Sequence, residues 1–319
     1  MRAPLLGGVL LGLLSVGMAS AQADPVLDLL TQISAAAHQL SYTGVYVFQH
    51  EGDMKSSRVF HTDDNGSERT RIDALDGPSR QIIRVDDDLR CYFPDAHVVR
   101  TEHTRHPRLF PALIEPPVAD YRDHYDIALA GHERVAGRSC QVITLRPKDG
   151  LRFGHELCAD DQTHLLLRAT TLGPHGDAVK VSAFTAIEIG HHLDADEFKP
   201  LFPGAASWRT QRVPLLDEPD QSGWQVNSLP PGFHKVREIQ RHAGHMTQLL
   251  YTDGLSTVSV FVEPIEGNGR PEQGAFLPGA LSYYSVRSAA YQVTVVGEVP
   301  MTAATQIGQS VINLRSTHP

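Results

Sequence analysis

From Tyr42 onward the chain runs in short stretches of β-branched and aromatic residues, each cut off by turn-forming residues. This rhythm constrains the fold more than any other feature. Gly44–His50, Ser57–Thr62 and Gln81–Val85 are three such stretches, separated by Glu51-Gly52, Asn65-Gly66, Asp76-Gly77-Pro78 and Asp86-Asp87-Asp88. Short runs of this composition between Gly- and Asp-rich turns predict antiparallel strands joined by hairpins. The pattern continues through Ala96–Arg100, a hairpin around Asp149, Leu165–Thr171 and Val179–Ile189. One helix precedes the meander. Asp24-Pro25 supplies a cap and a first-turn proline, and Val26, Leu29, Leu30, Ile33, Ala37 and Leu40 then fall on one face, a helix of about 15 residues. The fold class expected is α+β, mostly β.

The first 23 residues read differently. Arg2 is the only charge before Asp24, Leu5 to Met18 is apolar, and Ala19-Ser20-Ala21 and Ala21-Gln22-Ala23 fit a signal-peptidase site. The apolar run falls short of the roughly 20 residues a membrane-crossing helix needs. A signal peptide over 1–23 and export to the periplasm are therefore expected. No Cys stands directly after the run, which speaks against a lipid-modified N-terminus. Losing Arg2 takes the formal charge from −9 to −10, the wrong sign for a nucleic-acid partner.

Two interruptions divide the remainder. Between Thr101 and Tyr125, His103, His106, Pro107, Pro111, Pro116 and Pro117 surround Leu109, Phe110, Leu113 and Ile114. Such a long, partly apolar connection needs a reason, and a lid or short helix over a cavity is one. After Asp194 come Pro200, Pro203, Pro214 and Pro219, so 24–199 reads as a large domain, 200–222 as a linker and 223–319 as a small domain. Within the latter, Leu229-Pro-Pro-Gly-Phe233 is a turn, Gln248–Tyr251 and Ser256–Glu263 are strands around Asp253-Gly254, and Leu281–Val286 pairs with Tyr291–Gly297. Pro300 opens a closing helix with Ile307, Val311 and Leu314 on one face.

Catalysis finds little support. There is no G-x-S-x-G elbow, P-loop or G-x-G-x-x-G after a strand. His155-Glu156 begins like a zinc-protease motif, but Ala159 stands where a second His is required. His103/His106, His242/His245 and His191-His192 lack the carboxylate–His spacing of a metal site. The acidic runs read as turn residues. A binding protein without metal or cofactor is expected, rather than an enzyme. Cys140 and Cys158 flank the hairpin, and a turn centred on Asp149 places them opposite each other, as a disulfide requires; three unpaired thiols are the alternative. Tyr46, Phe48, Phe60, Ile82, Val85, Tyr92 and Phe93, with Leu109, Phe110 and Leu113, suit either a core or the lining of a lipid cavity, and periodicity does not separate the two.

Several segments carry a resemblance. Leu40-Ser-Tyr-Thr-Gly-Val-Tyr-Val47, Arg69–Asp76, Tyr125–Arg138, Phe153-Gly-His-Glu-Leu157, Leu229-Pro-Pro-Gly-Phe233, Leu250–Glu263 and Tyr291–Pro300 together resemble the MucB/RseB family of periplasmic negative regulators of the sigma-E response. The run Tyr251-Thr-Asp-Gly-Leu-Ser-Thr-Val-Ser-Val-Phe261 is the most specific part. The resemblance implies a large LolA/LolB-like domain, an open curved antiparallel sheet with helices. It also implies a small domain that binds the periplasmic region of a transmembrane anti-sigma factor of the RseA/MucA kind. Such binding shields the factor from proteolysis, and lipopolysaccharide or a related lipid releases it. Tyr251, Leu255, Val258, Val260, Phe261, Tyr283, Tyr291, Val293 and Val296 are the candidate contacts, and the same residues would equally serve as the small domain's core. A homo-oligomer is left open. A periplasmic lipid or lipoprotein carrier and an envelope hydrolase with an unfamiliar site are the rival functions.

Overall fold

The computed structural model describes residues 24–104, 108–213, 222–241, 245–265, 274–276 and 279–314; the Pro107 and His106 of the long connection, His242 and the predicted signal lie outside them. Helix α1 (Pro25–Gln39) starts where Asp24 Oδ1 accepts from Val26 N at 3.0 Å, and it buries Leu30, Ile33 and Ala37. Twelve strands follow in one sheet: β1 (Tyr42–His50), β2 (Asp53–Asp64), β3 (Ser67–Ala74), β4 (Gln81–Val85), β5 (Asp88–Phe93), β6 (Val98–His103), β7 (Tyr125–Val135), β8 (Arg138–Pro147), β9 (Gly154–Asp160), β10 (Leu166–Leu172), β11 (Ala178–Ile189) and β12 (Arg209–Arg212). Tight hairpins such as the one at Asn65-Gly66, both at positive φ, join the early strands.

The strand order β12-β6-β5-β4-β3-β2-β1-β11-β10-β9-β8-β7 explains the long connection. Two meanders, β1–β6 and β7–β11, are fused by the antiparallel pairing of β1 with β11. To begin the second meander, the chain must travel from β6 near one end of the sheet to β7 at the other. It crosses on the face that carries α1, burying Phe110, Ile114, Val118 and Tyr121 in the same core as Leu30, Ile33, Val59 and Ile72, and passing through the short helix α2 (Tyr121–His124). The sheet does not close, since β7 and β12 are both edges.

The predicted linker is partly structured. Phe202, Ala205 and Trp208 pack with Ile83, Tyr92 and Val99 on the outer face, and β12 runs parallel to β6. The chain after Pro200 thus belongs to the large sheet as far as 212, because the outer-face apolar residues of β4–β6 need cover; residues 214–221 lie outside the described set. Cys140 and Cys158 form a disulfide with Cα atoms 5.4 Å apart. Their register differs from the expected one: Cys140 pairs with Asp160 and Cys158 with Val142, so the hairpin centres on Gly150 and the bridge is diagonal.

The small domain is a six-stranded sheet in the order β14-β15-β16-β19-β18-β17, formed by β14 (His234–Arg241), β15 (Met246–Thr252), β16 (Thr257–Pro264), β17 (Gly274–Phe276), β18 (Ser282–Ser288) and β19 (Tyr291–Gly297). A ribbon of β13 (Trp224–Val226) and β20 (Val311–Asn313) flanks helix α3 (Met301–Gln309). Ala303, Ala304 and Ile307 of α3 bury against Val258, Val260, Val293 and Val295. The closing helix is shorter than expected. Ser310 ends it, donating from both N and Oγ to Ile307 O, so Val311 begins a strand and Leu314 is exposed.

Candidate functional site

The Asp253-Gly254 turn between β15 and β16 does more than reverse the chain. Asp253 Oδ1 accepts from the amides of Leu255 (3.0 Å) and Ser256 (2.7 Å), leaving Oδ2 for Arg152 Nη1 (3.0 Å) and Tyr125 OH (3.2 Å) of the large domain. Arg152 and Asp253 are 0% and 1% exposed, and Arg152 also donates to Pro231 O at 2.6 Å. Breaking such a buried pair on one side is costly, because the orphaned charge stays out of water. Gly254 sits at φ +89°, and a Cβ there would stand 2.6 Å from Tyr121 OH, which lies 3.1 Å from Gly254 O. Leu255 is buried in the large domain's core. The turn is therefore a plug that docks the small domain onto α2, β7 and the β8–β9 hairpin. Burial pushes the Tyr121 and Tyr125 hydroxyls well above the ordinary tyrosine range, so both serve as neutral hydrogen-bonding groups.

Beside the plug the two sheets leave a cavity of about 1050 Å³. Its walls are His155, Leu157, Ala169, Thr171 and Lys180 of β9–β11; Leu89, Glu102, His103 and Thr104 of β5, β6 and the residue beyond; Arg108, Leu113, Ile114 and Glu115 of the crossover; and, from the small domain, Lys235–Glu238, Leu250, Thr252, Leu255, Thr257, Ser259, Leu281 and Val296–Glu298. Its cations are held. Lys180 Nζ lies 2.6 Å from Glu298 Oε1, Arg237 pairs with Glu102, and Arg108 donates to Thr257 Oγ1, Leu113 O and Leu255 O. Burial opposes ionisation of Glu298, but Lys180 outweighs it and holds the carboxyl below the usual range. Burial pushes His155 down to about 4, with Lys180 and Arg108 adding to the effect and Asp253 opposing it. The result is a chamber with a neutral imidazole on its wall and with Lys180, Arg237 and Arg108 each held by a protein partner.

The predicted residues separate by strand parity. On the large sheet, Tyr46, Ile82, Leu109, Phe110 and Leu113 join or abut the core beneath α1. They fill that face, and of them Leu113 alone lines the cavity. Phe48 is exposed, and Phe93 has the guanidinium groups of Arg80 and Arg100 at 5.1 and 5.4 Å from its ring centre. Phe60, Val85 and Tyr92 take the opposite parity and face outward, Phe60 under Arg71 and Tyr92 against Phe202 and Trp208. The ten therefore do not form one lipid cavity. In the small domain, Tyr251, Val258, Val260 and Val293 face α3 as core, and Tyr291 packs on Trp224 at 4.7 Å. Leu255 and Val296 line the cavity, while Phe261 and Tyr283 are half-buried on the face opposite α3. The selection by apolarity missed Thr257 and Ser259, whose alternation with Val258 and Val260 marks the cavity face of β16; Leu250, paired with Ser259 on β15, was passed over too. It also missed Arg108, His155, Lys180 and Glu298, for which the sequence carries no local signal.

The family model of the MucB/RseB N-terminal domain matches residues 25–202, and that of the C-terminal domain matches 218–312. The chain belongs to the MucB/RseB family. Within it, the chain is 28% identical over 312 residues to the sigma factor AlgU regulatory protein MucB of Pseudomonas aeruginosa, covering 95% of each. It is 27% identical to the sigma-E factor regulatory protein RseB of Haemophilus influenzae, covering 94% of this chain and 95% of that one. Among solved structures, the MucA/MucB complex of Pseudomonas aeruginosa matches with TM-score 0.72 and 26% identity, over 91% of this chain and 99% of that one. MucB in complex with MucA(peri) matches with TM-score 0.70 and 26% identity, over 90% and 98%. The MucB/RseB family is one of regulatory proteins, and this member has both of its domains.

Proposed function

We propose that this chain is a periplasmic regulator that holds the periplasmic region of a membrane anti-sigma factor in the cavity between its two domains. It thereby shields that factor from proteolysis and restrains a sigma-E response, and lipid binding releases it. The observation that carries the reading is the cavity itself. It is built jointly by both domains, in a chain that over 90% of its length matches MucB, a protein solved in complex with MucA(peri). A wall whose charged side chains are paired suits a segment that orders on binding, at moderate and displaceable affinity. Lipid acts by its different affinity for free and occupied forms. Since the helix-bearing face of the large sheet is filled by the crossover, a lipid would compete for the interdomain cavity or displace the crossover. Export rests on the predicted signal over 1–23.

The test is a pull-down of the mature chain with the periplasmic segment of its own organism's anti-sigma factor, with and without lipopolysaccharide. Saturable binding that lipopolysaccharide abolishes is expected. No binding, with lipid carried stoichiometrically by the purified protein, would replace the reading with that of a lipid carrier.

A further inference from the structure

His155 is placed by β9, opposite Leu145 on one side and Thr171 on the other, on the cavity wall. It is 8% exposed, and its Nε2 is buried without a hydrogen-bond partner. Of the buried side-chain atoms in that condition among the described residues, it is the one that belongs to a cavity-lining residue. The charged groups around it are committed elsewhere. Lys180 and Glu298 bind each other, Asp253 is taken by Arg152 and Tyr125, and Arg108 by the crossover and the Leu255–Thr257 segment. Its apolar neighbours on the cavity wall, Leu157 and Ala169, offer no partner. A buried polar atom in this state costs free energy until something supplies the missing bond.

We infer that His155 reads the occupant of the interdomain cavity through a hydrogen bond between its imidazole and a peptide amide, so that the cavity selects an extended polypeptide over a bare acyl chain. The inference rests on the proposed function and adds the chemistry by which the site recognises its ligand. A neutral imidazole has one donor and one acceptor, a peptide unit offers both complements, and an acyl chain offers neither. A second observation points to the same occupant. The cavity is bounded by β14, which pairs with β15 on one side and is the edge of its sheet on the other. Val236 on that edge is bulged out of register between Lys235 and Arg237 and lines the cavity. An edge strand presents main-chain groups to an incoming extended segment.

The experiment is calorimetric titration at pH 7 of the mature chain with a synthetic peptide spanning the periplasmic segment of its own anti-sigma factor, and separately with dodecanoate. His155→Leu is expected to weaken the peptide by about tenfold, one lost hydrogen bond, and to leave dodecanoate undiminished, while His155→Gln stays close to wild type for the peptide. On the wild-type chain, the ¹⁵N resonances of the His155 ring are expected to shift on adding peptide and not on adding dodecanoate, a readout that survives even if His155→Leu does not fold. Unchanged peptide affinity in a folded His155→Leu, or an imidazole resonance indifferent to bound peptide, overturns the inference while leaving the proposed function standing. Failure of the wild-type chain to bind the peptide overturns both.

Discussion

At the scale of single residues, two carboxylates, one buried and one half-buried, organise this molecule in different ways. Asp253 divides its oxygens between the turn it caps and the domain it docks against, so Asp253→Ala removes both sets of bonds and leaves Arg152 with Asp149 as its ion-pair partner. The expected loss is about 1–3 kcal/mol, read as a lower urea midpoint in equilibrium unfolding. Glu68 accepts from Arg84 (2.6 Å), His38 (2.9 Å) and His61 (3.1 Å) and so ties α1 to β2, β3 and β4. Burial opposes its ionisation, but the two histidine hydrogen bonds and the charges of His38 and Arg84 prevail and hold its carboxyl well below the usual range. The unfolded chain then takes up the proton first as pH drops below 4.5. Stability from this cluster is present above that pH and is lost on further acidification, and Glu68→Gln should flatten the acid limb of a stability–pH curve measured by urea unfolding.

At the scale of elements, the turn, the crossover and the hairpin staple are the parts whose failure has a specific consequence. Gly254→Ala adds a Cβ at a positive φ and against Tyr121. The small domain's sheet has no part in that clash, so the variant should keep its strand signal in circular dichroism yet lose interdomain docking, seen as a larger radius of gyration by X-ray scattering. The 140–158 disulfide closes a loop of 18 residues. Its reduction should cost about 3 kcal/mol, measured as a fall in the urea midpoint on adding reductant. The crossover shows why length alone misleads. It is long because it must span the sheet, and its apolar residues go into the core beneath α1 rather than over it as a lid.

At the scale of the whole molecule, the proposed site depends on how two sheets meet. Filling the cavity should abolish partner binding without unfolding either domain, and Ser259→Trp, on the cavity face of β16, is the variant to measure by titration with the anti-sigma segment. Closure should also respond to acid. His155, held at about 4 against an ordinary 6.5, binds fewer protons in the docked form than when exposed. Docking therefore keeps its full contribution above pH 6.5 and weakens as pH falls towards 4, with Asp253, Glu298, Lys180 and Arg108 as the charges that face the ring. Scattering across that range should show expansion in the wild type and less of it in His155→Gln.

What the sequence determined by itself is everything that depends on near neighbours. Turn dipeptides, period-two alternation and the Asp24-Pro25 cap specify α1 and most strands. The segments from Leu40 to Pro300 were enough to indicate the family, whose two domains the chain spans. What only the tertiary structure decided is which face of each strand meets which partner. Val258 and Ser259 are adjacent in the chain, yet one is core and the other lines the cavity, and the apolar residue is the one lost to packing. His155, Lys180, Arg108 and Glu298 come from four separate segments, and their meeting depends on the docking of two sheets. Local pattern encodes the elements because backbone geometry is short-ranged. The site is formed by side chains far apart in sequence, and only the packing of the domains brings them together.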